Sequence, residues 1–172
     1  MSERVAFYRC DSNVDPVALP DGYSLKLWKP GFTPQGGGKM TVVLWLFHVL
    51  RVFANRDYSA VQIYHGETLS HTSYVFPRFF RFPFMSQTDL QVGDTWTDPD
   101  HRGKGLAKAA LSYVASGAMG NSRTFWYLTE EDNVASVKTA EAVGFKLVGY
   151  GRKSPRLGNL FLGYYEIVED VD

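Results

Sequence analysis

Cysteine is nearly absent from this chain: Cys10 is the only one among 172 residues. An intramolecular disulfide and a thiolate zinc cluster are thereby excluded, and a reducing cytoplasmic setting is expected. Net charge is absent too, with 18 basic residues against 18 acidic ones. No overall field draws such a chain to nucleic acid or to an anionic membrane, which leaves a small molecule as the expected partner. Long apolar runs are missing as well. The most apolar stretch, Met40 to Leu50, meets Arg51 at once and is too short to span a bilayer, so no integral membrane segment is expected. Met1-Ser2-Glu3-Arg4 carries no apolar signal core, in keeping with the cytoplasmic expectation. No internal repeat or low-complexity linker divides the sequence.

What is present is material for a core. Hydrophobic residues make up 45% of the chain, enough for one domain over residues 1–172 and too few for two comfortable ones. Tyr23 to Trp28 alternates and stops at Pro30, predicting a first strand, and Pro30 to Gly38 reads as a loop. Gly36-Gly37-Gly38-Lys39 lacks both a leading strand and the spacing of a nucleotide loop, so no ligand is assigned to it. Met40 to Phe53 is apolar nearly all round, predicting a helix buried against a sheet with His48 packed inside it. Tyr58 to Tyr64 and Thr68 to Phe76 form a hairpin about His65-Gly66-Glu67, and Leu90 to Thr97 is a further strand. Arg102 to Ser116 has helical spacing, with Gly117, Gly120 and Asn121 marking its end. A strand at Thr124 to Leu128 follows, then a helix capped by Asp132 or Asn133 and stopped at Gly144, then strands at Phe145 to Tyr150 and Leu160 to Val168. This order places the chain in the α/β class, with a mixed (α+β) sheet of about seven strands flanked by helices.

The most informative stretch is Arg102-Gly103-Lys104-Gly105-Leu106-Ala107, which follows a strand and opens a helix. Two glycines let backbone N–H groups close on an anion, and the first helical turn adds unpaired donors and the positive end of its dipole. A pyrophosphate fits such a bend. A plain strand-to-helix turn that binds nothing has the same glycines.

In motif and order together, the chain resembles the GNAT superfamily of acyl-CoA-dependent N-acyltransferases. The family's acyl-CoA loop has Arg or Gln, two residues, Gly, one residue, then Gly or Ala; Arg102, Gly105 and Ala107 stand at those places, after Pro99. A second family segment is met by Asn133, Ser136 and the Gly144-Phe145 helix end. The resemblance is strong from Leu90 to Tyr150 and agrees in element order before that. It implies a mostly antiparallel central sheet splayed between the family's fourth and fifth strands. It also implies transfer of an acyl group, usually acetyl, from acetyl-CoA to an amine by direct attack in a ternary complex, with no metal. On the same resemblance, N–H groups from Gly103, Lys104, Gly105, Leu106 and Ala107 hold the CoA pyrophosphate, with Arg102 and Lys104 adding charge. Trp96 and Thr97 hold the pantetheine arm, and Asn133 and Ser136 stand on the cofactor side. A strand N–H there would polarise the thioester carbonyl, a contribution of about 3 kcal/mol per donor.

An amine attacks only when neutral, and the expelled thiolate needs a proton. Many members of the family supply that proton from a tyrosine seven residues after the motif asparagine, a position held here by Ala140. Tyr127 is the candidate substitute, with core filling as its alternative; solvent or the ammonium proton would also serve. Asp94, three residues before Thr97 on the splayed strand, is the leading candidate base, or else a strand-end hydrogen-bond acceptor. His71 is the second candidate, a group of near-neutral pKa expected to face the acceptor cleft.

The run from Phe76 to Met85 is too aromatic for an ordinary exposed loop. One reading makes it an acceptor pocket wall, with Phe80 supplying apolar surface and Arg78 or Arg81 pairing with a phosphate or carboxylate. The other makes it a buried lid completing the core. Asn55-Arg56-Asp57-Tyr58 is expected to add polar groups to the same cleft. The expected function is acetyl transfer to the primary amine of a small molecule, with a nucleotide-linked amino sugar as the candidate that suits rings beside cations. A non-catalytic acyl-CoA-binding or interaction module and an O-acyltransferase are the alternatives, and a homodimer is compatible with each.

Overall fold

The computed structural model describes residues 4–11, 14–30, 39–53, 57–119 and 123–171, with 39–41 and 159–162 described in backbone only. The expected Gly-rich loop at 31–38, Asn55 with Arg56, and Gly120 with Asn121 lie outside the described residues. The elements run β1 (Val5–Cys10), β2 (Tyr23–Trp28), α1 (Lys39–Val49), β3 (Ser59–His65), β4 (Thr68–Pro77), β5 (Leu90–Thr97), α2 (Leu106–Tyr113), β6 (Phe125–Glu130), α3 (Val134–Val143), β7 (Lys146–Arg156) and β8 (Asn159–Asp170). They build one eight-stranded sheet in the order β2-β3-β4-β5-β6-β1-β7-β8. Its pairs are antiparallel apart from β5 with β6, which is parallel.

The sheet has one strand more than the sequence suggests, and the addition is β1. Val5-Ala6-Phe7-Tyr8-Arg9-Cys10 shows no polar alternation for a simple reason: both its faces are covered. Ala6, Tyr8 and Cys10 enter the main core beneath α2 and α3, while Val5 and Phe7 enter a second core with Phe82, Met85 and Trp126. A strand buried on both sides reads as a short apolar run, not as a period of two.

Directly opposed residues of an antiparallel pair point to the same side of the sheet, which sorts the strands by face. Val61 opposes Ser73 and Ile63 opposes His71; Val61 and Ile63 belong to the core with Leu106, Ala110, Leu111 and Val114 of the α2 side. Ala60 opposes Tyr74, and this pair packs with Leu44 of α1 and with Tyr58 on the other side. The expected burial of α1 is corrected here. Among its described side chains Leu44 is fully buried, whereas Val42, Leu46 and Val49 are exposed, so the helix lies on the sheet with an apolar outer face. His48 is packed as expected, its Nδ1 bonded to the Tyr58 hydroxyl.

The aromatic run after β4 divides between a core and a cavity wall. Phe82 and Met85 are buried in the second core. The Asp89 carboxylate, itself buried, accepts from the Ser86 N–H at 2.8 Å and from the Trp126 indole N–H at 2.9 Å, which clamps the run to β6. Phe76, Phe79 and Phe80 turn instead to a cavity. Asp57 pairs with Arg123 at 2.7 Å and Tyr58 is buried, so the described half of the expected polar quartet does not open to that cavity.

Candidate functional site

β5 and β6 pair only through Leu90 to Val92 against Phe125 to Tyr127. Beyond Val92, β5 keeps β4 as its neighbour, and two of its residues, Asp94 and Thr95, stand where β4 has only Ser73. Asp94 is the bulged residue, at a left-handed φ of 48°. An extra residue bends its strand and sharpens the local twist, so β5 leaves β6 and a slot opens between them. This is the expected splay.

At the far end of β5 the chain turns through a 3-10 segment, Pro99–His101, capped by the Asp98 carboxylate. The Arg102 Nε–H donates to the Thr97 carbonyl at 3.3 Å. Gly103 and Gly105 follow at φ of 75° and 76°, values that would strain most other residues. They also explain why α2 begins at Leu106 and not at Arg102. Gly105 stands at the N-cap without a side-chain cap, and the first turn of α2 holds no acidic residue. Its leading N–H groups therefore face outward at the positive end of the helix. A Cβ built on Gly103 or Gly105 would meet nothing within 4 Å, so the bend has room in front of it. Donors, dipole and space fit the diphosphate of a CoA ester, with Arg102 and Lys104 exposed beside it.

The other residues expected on the cofactor side are divided between the two faces of the sheet. Trp96 is 46% exposed and pairs with Thr72, and Thr97 pairs with His71. Asn133 is the N-cap of α3, its side chain accepting from the Ser136 N–H at 3.1 Å. The Ser136 side chain hydrogen-bonds Tyr127, whose phenol is pushed up chiefly by burial. Tyr127 sits in the main core with Ala140 and Phe145, the core-filling alternative, and is held protonated there. Arg102, Gly103, Lys104, Gly105, Leu106 and Ala107 thus form one bend, while Asn133 and Ser136 make a helix cap across from it.

On the opposite face, under α1, lies a cavity of about 690 Å³. Phe53, Phe76, Phe79, Phe80 and Leu128 are among its apolar wall residues, and Gln91, Gly93, Asp94 and Arg81 are among its polar part. Asp94, Phe80 and Arg81 are therefore together, as the sequence suggested. Arg78 is not part of this wall; its guanidinium reaches the Pro83 carbonyl at 3.5 Å. Tyr74, opposite Gly93 on β4, carried no sequence signal of its own; its phenol is raised by burial first and by the Asp94 charge second. Gln91 and Gly93 are further residues that sequence reasoning misses. The available signal was a lone amide inside the apolar run Leu90-Gln91-Val92.

The structure corrects the expectation for His71. It lies on the α2 side, fully buried at 0% exposure, with Nδ1 at 2.8 Å from the Thr97 hydroxyl and Nε2 at 2.9 Å from Ser73. Ser73 continues the chain to the Thr95 hydroxyl at 3.1 Å. With no opening to the cavity and both nitrogens bonded, His71 holds β4 to β5 and is not the base of the acceptor cleft. Burial lowers its pKa to about 4 from an ordinary 6.5. Between those values the unfolded chain binds a proton that the folded protein refuses, so stability is intact above pH 6.5 and falls as the pH drops toward 4. The expected loss is about 3 kcal/mol in all. His71→Gln should flatten that part of the stability profile, as read by urea unfolding between pH 7 and pH 4; an unchanged slope would remove the assignment.

No curated protein matches the chain. The sequence model of the acetyltransferase (GNAT) family matches residues 42–145, which takes in most of α1, the splayed strand, the glycine bend and α3. Among solved structures, the chain is similar to a GNAT-family protein from Novosphingobium aromaticivorans DSM 12444 at 15% identity and a TM-score of 0.58, covering 87% of this chain and 62% of that one. It is also similar to an acetyltransferase of the GNAT family from Colwellia psychrerythraea at 15% identity and 0.55, covering 87% and 54%. A tandem GNAT protein from the clavulanic acid biosynthesis pathway gives 20% identity and 0.53, covering 85% and 50%. The chain thus spans about half to three-fifths of the length of these proteins, and the likeness is one of fold. Splayed strand, glycine bend and cap segment all fall inside the span that the family model matches, and by that match the chain belongs to the GNAT family of acetyltransferases.

Proposed function

We propose that this protein moves an acetyl group from acetyl-CoA to the primary amine of a small molecule, by direct attack with both bound. The observation that carries the reading is the course of β5. One strand leaves β6 after Val92, lines the cavity with Gly93 and Asp94, and ends at the glycine bend. The amides proposed to hold the anion and the cavity proposed for the acceptor would thus be served by one strand.

Acetyl-CoA would supply the acyl group as a thioester. The N–H groups from Gly103 to Ala107 would anchor its diphosphate, and the freed backbone of β5 past Gly93 would align its arm. Asp94 would take the proton from an ammonium arriving in the cavity, leaving the nitrogen lone pair free to form the N–C bond as the C–S bond breaks. Ala140 is wholly buried and offers no proton, so the one released at Asp94 returns to the departing sulfur through solvent. A nucleotide-linked amino sugar would stack its base on the cavity rings. Its two phosphates would find Arg81 as the single cation among the described residues of the wall, which disfavours it.

The test is thiol release from acetyl-CoA across a panel of amines: a ring-bearing amine, a polyamine, an amino acid, a peptide N-terminus and a nucleotide-linked amino sugar. Amine-dependent release with a hydroxylamine-stable product is the expected result. A hydroxylamine-labile product would point to O-acylation, and CoA binding without release for any acceptor would leave a binding module.

A further inference from the structure

Resting on that reading, we infer that the acceptor is a primary amine carried on an apolar, ring-sized body, and that Gln91 recognises its nitrogen beside Asp94. The observation is an unmatched oxygen. Gln91 is 4% exposed, between Leu90 and Val92 in the buried first part of β5, and its Nε2 donates to the Val92 carbonyl at 2.7 Å. A carbonyl at that distance tolerates only the nitrogen end of the amide, so the orientation of the group is fixed. The amide lies across Gly93, where a Cβ would stand 2.4 Å from Nε2, so any larger residue there must displace the amide. What remains is Oε1, buried and without a hydrogen-bond partner. Leaving an amide oxygen buried and unpaired costs free energy, and the residue that carries it is one of those lining the cavity.

The group missing from that wall is a donor. Gln91 and Asp94 are two acceptors with only Val92 and Gly93 between them in the chain, and both line the cavity where β5 opens from β6, with Arg81 as the one cation among the described residues of the wall. An ammonium or amine head brings two or three N–H groups to such a pair. Beyond these and Arg81 the wall is mainly apolar and aromatic, with Phe53, Phe76, Phe79, Phe80 and Leu128 among its residues, and such a surface solvates a flat apolar body. A cavity of about 690 Å³ lies within the size range of small-molecule sites.

The probe is 2-phenylethylamine, compared with spermidine, glycine and a nucleotide-linked amino sugar in steady-state acetylation. Phenylethylamine is expected to have the highest kcat/KM by at least about tenfold, a difference of roughly 1.4 kcal/mol. Gln91→Leu keeps the volume, removes the unmatched oxygen and should leave the fold at least as stable in thermal unfolding, yet raise KM for phenylethylamine about tenfold with CoA affinity unchanged. Gly93→Ala, which must push the same amide aside, should raise KM in the same direction. An unchanged KM in a folded Gln91→Leu protein overturns the role of Gln91. A better turnover of spermidine, glycine or the sugar overturns the acceptor class while acetyl transfer to an amine stands, and failure of every amine overturns both.

Discussion

Asp94→Asn is expected to lower kcat/KM for the amine by about 10²–10⁴-fold near neutrality, with CoA affinity and unfolding midpoint close to those of the parent. Asparagine tolerates the left-handed backbone better than most residues, so the φ of 48° at this position survives the change and the slot keeps its shape. The loss should depend on pH in one direction. At low pH nearly all the acceptor is ammonium and needs a proton acceptor before it can attack. As the pH rises toward the amine's own pKa, the neutral form appears without help and the gap between variant and parent narrows. Rate profiles of the two proteins from about pH 6 to about pH 10 check this. A fully active Asn variant would move the proton to bulk water and remove Asp94 from the chemistry.

Gly105→Val should abolish CoA binding measured by calorimetry. Two effects act together. Valine at a φ of 76° is strained by about 1–2 kcal/mol, which loosens the bend and the start of α2. Its Cβ and methyl groups also project into the open space before the bend, where a diphosphate would approach the amides. The first effect appears as a modest loss of stability, and the second as a loss of affinity well beyond it. Unchanged affinity in the folded variant would contradict the assignment of the bend.

The parts of the site that the sequence revealed are those made by backbone. Leu90–Thr97 has the bounds expected from the sequence, and the glycines at 103 and 105 mark a turn only they adopt easily. Asn133 at the N-cap and Gly144 at the end of α3 follow the ordinary chemistry of helix ends. What was hidden is facing. Gln91 and Gly93 turn to the cavity, so a period of two along β5 would send Thr95 and Thr97 there as well. The bulge at Asp94 inserts one residue and reverses the count. Thr95 and Thr97 instead join Ser73 and His71 on the far side. No propensity scale predicts that reversal; His71, by contrast, is set on the far side by its pairing with Ile63 of β3. The cavity itself was hidden for a related reason: its wall draws on α1, β4, β5, β6 and the aromatic run, whose meeting depends on the whole sheet.

The position of β1 bears on how the protein is made. Residues 5–10 pair on one side with 125–130 and on the other with 146–151, and β7 and β8 join the rest of the sheet only through them. On a ribosome, β1 is synthesised well before β6 or β7 and must therefore wait for a long stretch of polypeptide before it finds either neighbour. Contacts so distant in sequence form slowly. Until they do, β7 and β8 form a hairpin without a seat, and the nascent chain displays an apolar six-residue stretch of the kind that chaperones shield.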